Sequence, residues 1–83
     1  MKHKDTVSYP GGMTQLVEDI VDLKYDSLKA FLKLLAEKVE RDGKKDHGRG
    51  RTQLAGSLLE ASKALTLSSK HIGKAWKISK PYM

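Results

Sequence analysis

From Gln15 to Asp42 the chain contains neither proline nor glycine, and apolar residues recur at positions 16, 17, 20, 21, 23, 28, 31, 32, 34, 35 and 39. That is the three-to-four-residue spacing of a helix, not the alternation of a strand. The spacing predicts one helix over about 15–42, roughly 40 Å long at a rise of 1.5 Å per residue. Thr14 is its expected N-cap, and Glu18, Asp19 and Asp22 follow in the first turns, where carboxylates favour the positive helix end. Around the helix axis Leu16, Leu23 and Leu34 mark one margin of the apolar arc, Val17, Leu28 and Leu35 its centre, and Val21, Tyr25, Leu32 and Val39 the other margin. The arc covers about half the circumference, wider than the stripe a single neighbouring helix needs. More than one helix is therefore expected to pack against it.

Asp42-Gly43 is read as the end of this helix, and residues 43–51 (GKKDHGRGR) as a basic, glycine-rich loop. Thr52 is a plausible N-cap for a second helix running to about Ser79, because Lys80 precedes Pro81 and the residue before proline leaves the helical region. Its apolar stripe is Leu54, Leu58, Ala61, Leu65, Ile72 and Trp76, flanked by Ala55, Ser62, Ser68 and Ser69, which are small enough for another helix backbone to come close. Gly56, Gly73 and the Thr66-Leu67-Ser68-Ser69 segment leave open whether this helix is continuous. Residues 1–13 are polar and contain Pro10-Gly11-Gly12, a turn signal, so they are read as a flexible N-terminal arm.

The expected fold class is all-α: a long antiparallel helical hairpin dimerising into a four-helix bundle, with a flexible N-terminal arm. Eighty-three residues enclose little core, which makes self-association the expected source of stability. Its expected contacts are Leu16, Ile20, Leu23, Leu28, Phe31 and Leu35 from the first helix and Leu58, Leu65, Ile72 and Trp76 from the second.

Charge adds a direction to this picture. Residues 1–42 hold seven Lys/Arg and eight Asp/Glu, whereas residues 43–83 hold nine and two, so the net +6 resides in the second half. An antiparallel hairpin would bring Glu18, Asp19, Asp22 and Asp26 toward Lys70, Lys74, Lys77 and Lys80. Two basic features remain as candidate contacts for nucleic acid or an acidic partner. One is the loop set Lys44, Lys45, Arg49 and Arg51; the other is a ridge of Lys63, Lys70, Lys74 and Lys77, which fall within about 60° of one another around the helix. Leu59, Leu67 and Ile78 lie off the main apolar stripe of the second helix, on or near the lysine face, and raise the expectation of a further protein contact.

Candidate chemistry is sparse. The chain has no cysteine, which removes disulfides and thiolate metal sites and fits a reducing, cytoplasmic setting. No signal peptide or membrane span is expected. His71 has no His, Asp or Glu at helical spacing, so no metal or cofactor is assigned, and the acidic line Glu18, Asp22, Asp26 reads as capping and solubility charge. Arg41-Asp42 with His47 five residues on resembles the arginine, polar residue, then histidine pattern of HEPN-type helical ribonucleases. That resemblance would imply acid–base chemistry by His47 and charge stabilisation by Arg41. It covers seven residues, and no catalytic residue is assigned from it. The leading expectation is a non-catalytic helical protein-protein interaction module of regulatory or adaptor type. The alternative is a nucleic-acid-binding protein that uses the basic loop and the lysine ridge.

Overall fold

The computed structural model describes residues 3–82. Met1 and Lys2 of the expected arm, and Met83, lie outside the described residues. Three α-helices follow one another, α1 (Gly12–Val21), α2 (Tyr25–Gly48) and α3 (Thr52–Ser79), and a short 3-10 turn, Lys80–Tyr82, closes the chain. Among the described residues there is no strand, and the all-α expectation holds.

The single helix expected over 15–42 is divided. Tyr9-Pro10-Gly11-Gly12 forms a tight turn in which the Gly12 N–H donates to the Tyr9 carbonyl at 2.8 Å and Gly11 has φ 85°. Proline followed by a left-handed glycine is the type II combination. It starts α1 two residues before Thr14, which therefore sits inside the first turn, and no side chain caps this end. α1 stops at Asp22, and Lys24 re-enters an extended conformation (ψ 149°) before α2 begins. The break has a packing reason. α2 and α3 are 24 and 28 residues long, so a helix continued back to residue 12 would overhang α3 with nothing beside it. Breaking at 22–24 lets the N-terminal segment return along the hairpin, half-burying Leu16 and Ile20 and bringing His3 near Asp42 and Lys45.

The basic loop is also shorter than residues 43–51. α2 runs through Gly43, Lys44 and Lys45 to Gly48, so only residues 49–51 connect the helices. The true stop is Gly50, at φ 77°. Its N–H donates to the His47 carbonyl at 3.1 Å, and the Arg51 N–H donates to the Asp46 carbonyl at 2.9 Å. This is the paired bonding of a Schellman ending, which satisfies the last carbonyls of the helix. The Arg51 guanidinium holds the same Asp46 by its carboxylate at 3.2 Å. Thr52, expected as an N-cap, is instead the first residue of α3, and Arg51 before it supplies no side-chain cap.

α2 and α3 meet along a seam of small residues. Ala36 and Gly43 of α2 and Ala55, Ser62 and Ser69 of α3 are buried, each set spaced by seven residues so that it stays on one face. Ser68, expected beside them, is exposed. The Ser62 hydroxyl donates to the Ala36 carbonyl at 2.9 Å across the seam. Gly43 faces the side chains of Leu58 and Leu59, which lie 3.3 and 3.2 Å from where a Cβ would stand. Gly43 thus permits the close approach of the helices instead of ending one. α3 is continuous through residues 66–69, where the Thr66 and Ser69 hydroxyls bond back to the Ser62 and Thr66 carbonyls at 3.0 and 2.9 Å.

Two of the interior helical glycines, Gly56 and Gly43, give an internal control. Gly56 has open space where its Cβ would be, so Gly56→Ala should stabilise the protein by about 1 kcal/mol through helix propensity alone. Gly43→Val should destabilise it by about 1–3 kcal/mol through overpacking of the seam. Urea unfolding monitored by circular dichroism reads both, and two shifts of the same sign would contradict the seam.

Candidate functional site

The seam leaves the large side chains on its flank. In an antiparallel pair the flank of α2 carrying Leu28, Phe31, Leu35 and Val39 and the flank of α3 carrying Leu54, Leu58, Leu65, Ile72 and Trp76 fall on the same side of the hairpin. One broad apolar face results. Of the expected self-association residues, only Leu28 is buried, at 8 % exposure. Leu16, Ile20, Phe31, Leu58, Leu65, Ile72 and Trp76 are half-buried, and Leu23 and Leu35 are exposed. Leu54, on the same flank, is 47 % exposed. At the tip this face opens into a cavity of about 350 Å³ lined by His3, Asp42, Lys45, Arg49, Leu54 and Leu58, among others.

The opposite side of α3 is different. Lys63, Lys70, Lys74 and Lys77 are exposed there in one row, and Leu67 (56 % exposed) and Ile78 (72 % exposed) stand directly beside them. Residues 61–83 contain five lysines and no Asp or Glu. Ion pairs among the described residues are local: Lys38 with Asp42 at 2.6 Å, Lys44 with Glu40 at 2.9 Å, Arg51 with Asp46, and Lys63 with Glu60 at 3.3 Å. The expected neutralisation of Glu18, Asp19, Asp22 and Asp26 by Lys70, Lys74, Lys77 and Lys80 is not made among these residues. The basic loop set is dispersed as well. Lys44 and Lys45 sit on α2, Lys44 and Arg51 are already paired, and Arg49 stands in the three-residue connection.

Arg41 and His47 are both exposed on α2 and lie about 120° apart around its axis. Their side chains therefore leave α2 on different sides of the helix. Among the described residues no group of three or more His, Cys, Asp or Glu could hold a metal ion, and no helix is long and apolar enough to cross a membrane.

One polar contact was not anticipated from spacing. The Tyr9 hydroxyl donates to the Asp19 carboxylate, which also accepts from the Gln15 side-chain amide at 2.8 Å. These bonds tie the residues before α1 onto its first turns. Hydrogen bonds from Tyr9 and then Gln15 lower the Asp19 pKa, and the bond to the Asp19 carboxylate raises that of Tyr9. Lys38 likewise holds Asp42 below the ordinary carboxylate value. Comparison with known protein families, curated proteins and solved structures finds no match for this chain.

The two shifts on the Tyr9 contact bound a pH window. A lowered folded value for Asp19 means its contribution is present above the ordinary Asp pKa of about 4 and is lost as pH falls through the folded value. A raised folded value for Tyr9 means its contribution is present below the ordinary tyrosine pKa of about 10 and is lost as pH rises through the folded value. Nuclear Overhauser contacts between the Tyr9 ring and α1 should therefore persist at neutral pH and disappear toward both extremes. Asp19→Asn should return the Tyr9 titration toward its ordinary range, and an unmoved Tyr9 would mean the bond does not form in solution.

Proposed function

We propose that the protein is a non-catalytic helical interaction module that dimerises through the apolar flank of its hairpin. One observation carries this reading. A compact monomer of 9.3 kDa should expose about 5,000 Å², whereas this chain exposes 6726 Å². The excess, on the order of 1,700 Å² per chain, would give a two-chain interface in the size range of obligate dimers. No large side chain among the described residues is fully buried, so a single copy is short of core and a second hairpin supplies the missing layer. Two hairpins apposed by this flank make a four-helix bundle. A regulatory or adaptor role follows from the surface left outside that bundle, which carries both exposed apolar side chains and unneutralised charge.

Leu35 and Leu54 are the residues to test, because both are exposed and neither supports the seam. Leu35→Glu and Leu54→Glu should each reduce the solution mass from twice 9.3 kDa to 9.3 kDa in sedimentation equilibrium at micromolar concentration and about 0.5 M salt, where charge contacts between copies are screened. Helicity in the monomer should survive, since α2 and α3 keep their small-residue contact. A wild type that is monomeric at that concentration would overturn the reading.

A second reading, phosphate binding, is favoured by the acid-free lysine run of residues 61–83. On it, labelled duplex DNA should bind with micromolar or tighter affinity at about 150 mM salt, with the steep salt dependence of counterion release. Replacing Lys70, Lys74 and Lys77 by Gln should remove that binding, as read by fluorescence anisotropy. Failure of the wild type to bind at that salt excludes it.

A further inference from the structure

We infer that α3 carries a second docking face, on the side away from α2, and that its occupant is α1 of another copy of this chain. The exposed side chains of the two helices complement each other in kind. α1 contains no Lys or Arg, and its outer apolar row, Met13 (50 % exposed), Val17 (53 %) and Val21 (56 %), is uncovered although Leu16 and Ile20 on its inner edge are half-buried. Glu18 and Asp22 run beside that row, and neither is in an ion pair among the described residues. On the outer side of α3 the exposed large apolar residues are Leu67 and Ile78, and the row beside them is Lys70, Lys74 and Lys77, likewise without ion pairs among the described residues. The lengths agree: Met13 to Val21 spans about 12 Å and Leu67 to Ile78 about 16 Å along their axes.

The pattern also fixes an orientation. Viewed down each helix from its N-terminus, the carboxylates of α1 follow its apolar row, and the lysines of α3 precede theirs. Facing helices bring such flanks together when they run in the same direction, as the charged flanks of parallel coiled coils do. Parallel docking therefore seats apolar row on apolar row and carboxylates on lysines, with Val21 beside Ile78 and Met13 toward Leu67. The lysine row is better matched to this occupant than to a nucleic acid backbone, because Leu67 and Ile78 stand directly beside it and phosphates offer apolar side chains no partner.

The occupant comes from another copy for a reason of reach. Residues 22–24 join α1 to α2 and extend at most about 10 Å. The outer side of α3 lies beyond both α2 and the seam, on the order of 20 Å away given helix diameters of about 10 Å. A chain cannot place α1 on the far side of its own hairpin. This face is opposite the Leu35 and Leu54 flank, so the two interfaces are independent of each other.

The absence of cysteine makes a direct test available. Single-cysteine variants Val21→Cys and Ile78→Cys of the full chain are mixed and oxidised, and the intermolecular disulfide is read on a non-reducing gel. The expected result is cross-linking well above that of a Val21→Cys and Gln53→Cys control, weaker cross-linking of Val21→Cys with Leu67→Cys, and a decline as salt rises from about 0.05 to 0.5 M. Adding Lys70→Glu and Lys74→Glu to the Ile78→Cys chain should abolish the cross-link. Adding Glu18→Lys and Asp22→Lys to the Val21→Cys chain should then restore it, which a merely unfolded variant could not do. The same pair in a Leu35→Glu background should still cross-link, so loss of the hairpin-flank dimer and loss of this contact are told apart. Cross-linking at control level, or cross-linking indifferent to charge reversal, would overturn the proposal. So would a lysine row that binds duplex DNA while the cross-link stays at control level.

Discussion

Close contact between α2 and α3 sets the terms for everything else in this molecule. Ala36 and Gly43 face Ala55, Ser62 and Ser69, and a β-carbon at position 43 would already crowd Leu59. A seam made of such small side chains brings the helix backbones near and lets a serine hydroxyl reach across to a carbonyl, as Ser62 does to Ala36. It also buries little apolar area, because its residues have little to bury. The bulky residues that the sequence supplies in quantity are forced to the flank, where one hairpin covers only one side of them. Tight pairing within the chain and incomplete burial on its surface are two results of the same choice of residues.

Much of this could be read from the sequence, and the misreadings have definite causes. The helical period, the hairpin and the role of Ala55, Ser62 and Ser69 follow from spacing alone, because small residues repeating on one face have few other uses. Gly43 was misleading, since a glycine after an acidic helix end ordinarily signals termination. Here a single glycine costs about 1 kcal/mol of helix propensity, and close packing against Leu58 and Leu59 offsets it. Gly50 then ends the helix, because the left-handed conformation there lets two backbone N–H groups close a Schellman ending. The break at residues 22–24 contains neither proline nor glycine, so nothing local announces it. What decides it is the finite length of α3, a tertiary fact that the pattern of residues 15–42 does not contain.

Electrostatics in the chain is organised on two scales. All four ion pairs among the described residues link positions three to five apart on one helix or across its cap, and exposed pairs of this kind contribute little to stability. They do remove charge from the hairpin tip, where Lys44 and Arg51 are committed to Glu40 and Asp46. The larger asymmetry, acid in α1 and base in the last part of α3, is left without ion pairs between the two among the described residues. Surface charges without partners are common, but here each row runs beside exposed apolar side chains, and that combination is rarer than either alone.

The apolar flank and the lysine row lie on opposite sides of one hairpin, and that placement constrains how copies can meet. In the proposed dimer, burial of the flank would be insensitive to salt and closed by symmetry, because the same surface would face itself across a twofold axis. Contact between α1 and the lysine row joins two different surfaces and is screened by salt within a Debye length of about 10 Å at 0.1 M. If two copies exchange α1 reciprocally the contact closes; if they do not, each dimer offers a free α1 and a free lysine row to the next. The three-residue connection at 22–24 leaves both of these outcomes available and rules out only a third, since its short reach prevents α1 from satisfying the row on its own chain. The small break that spacing alone could not reveal is thus the feature that, in the proposed contact, would turn the charge asymmetry of one chain into an attraction between copies.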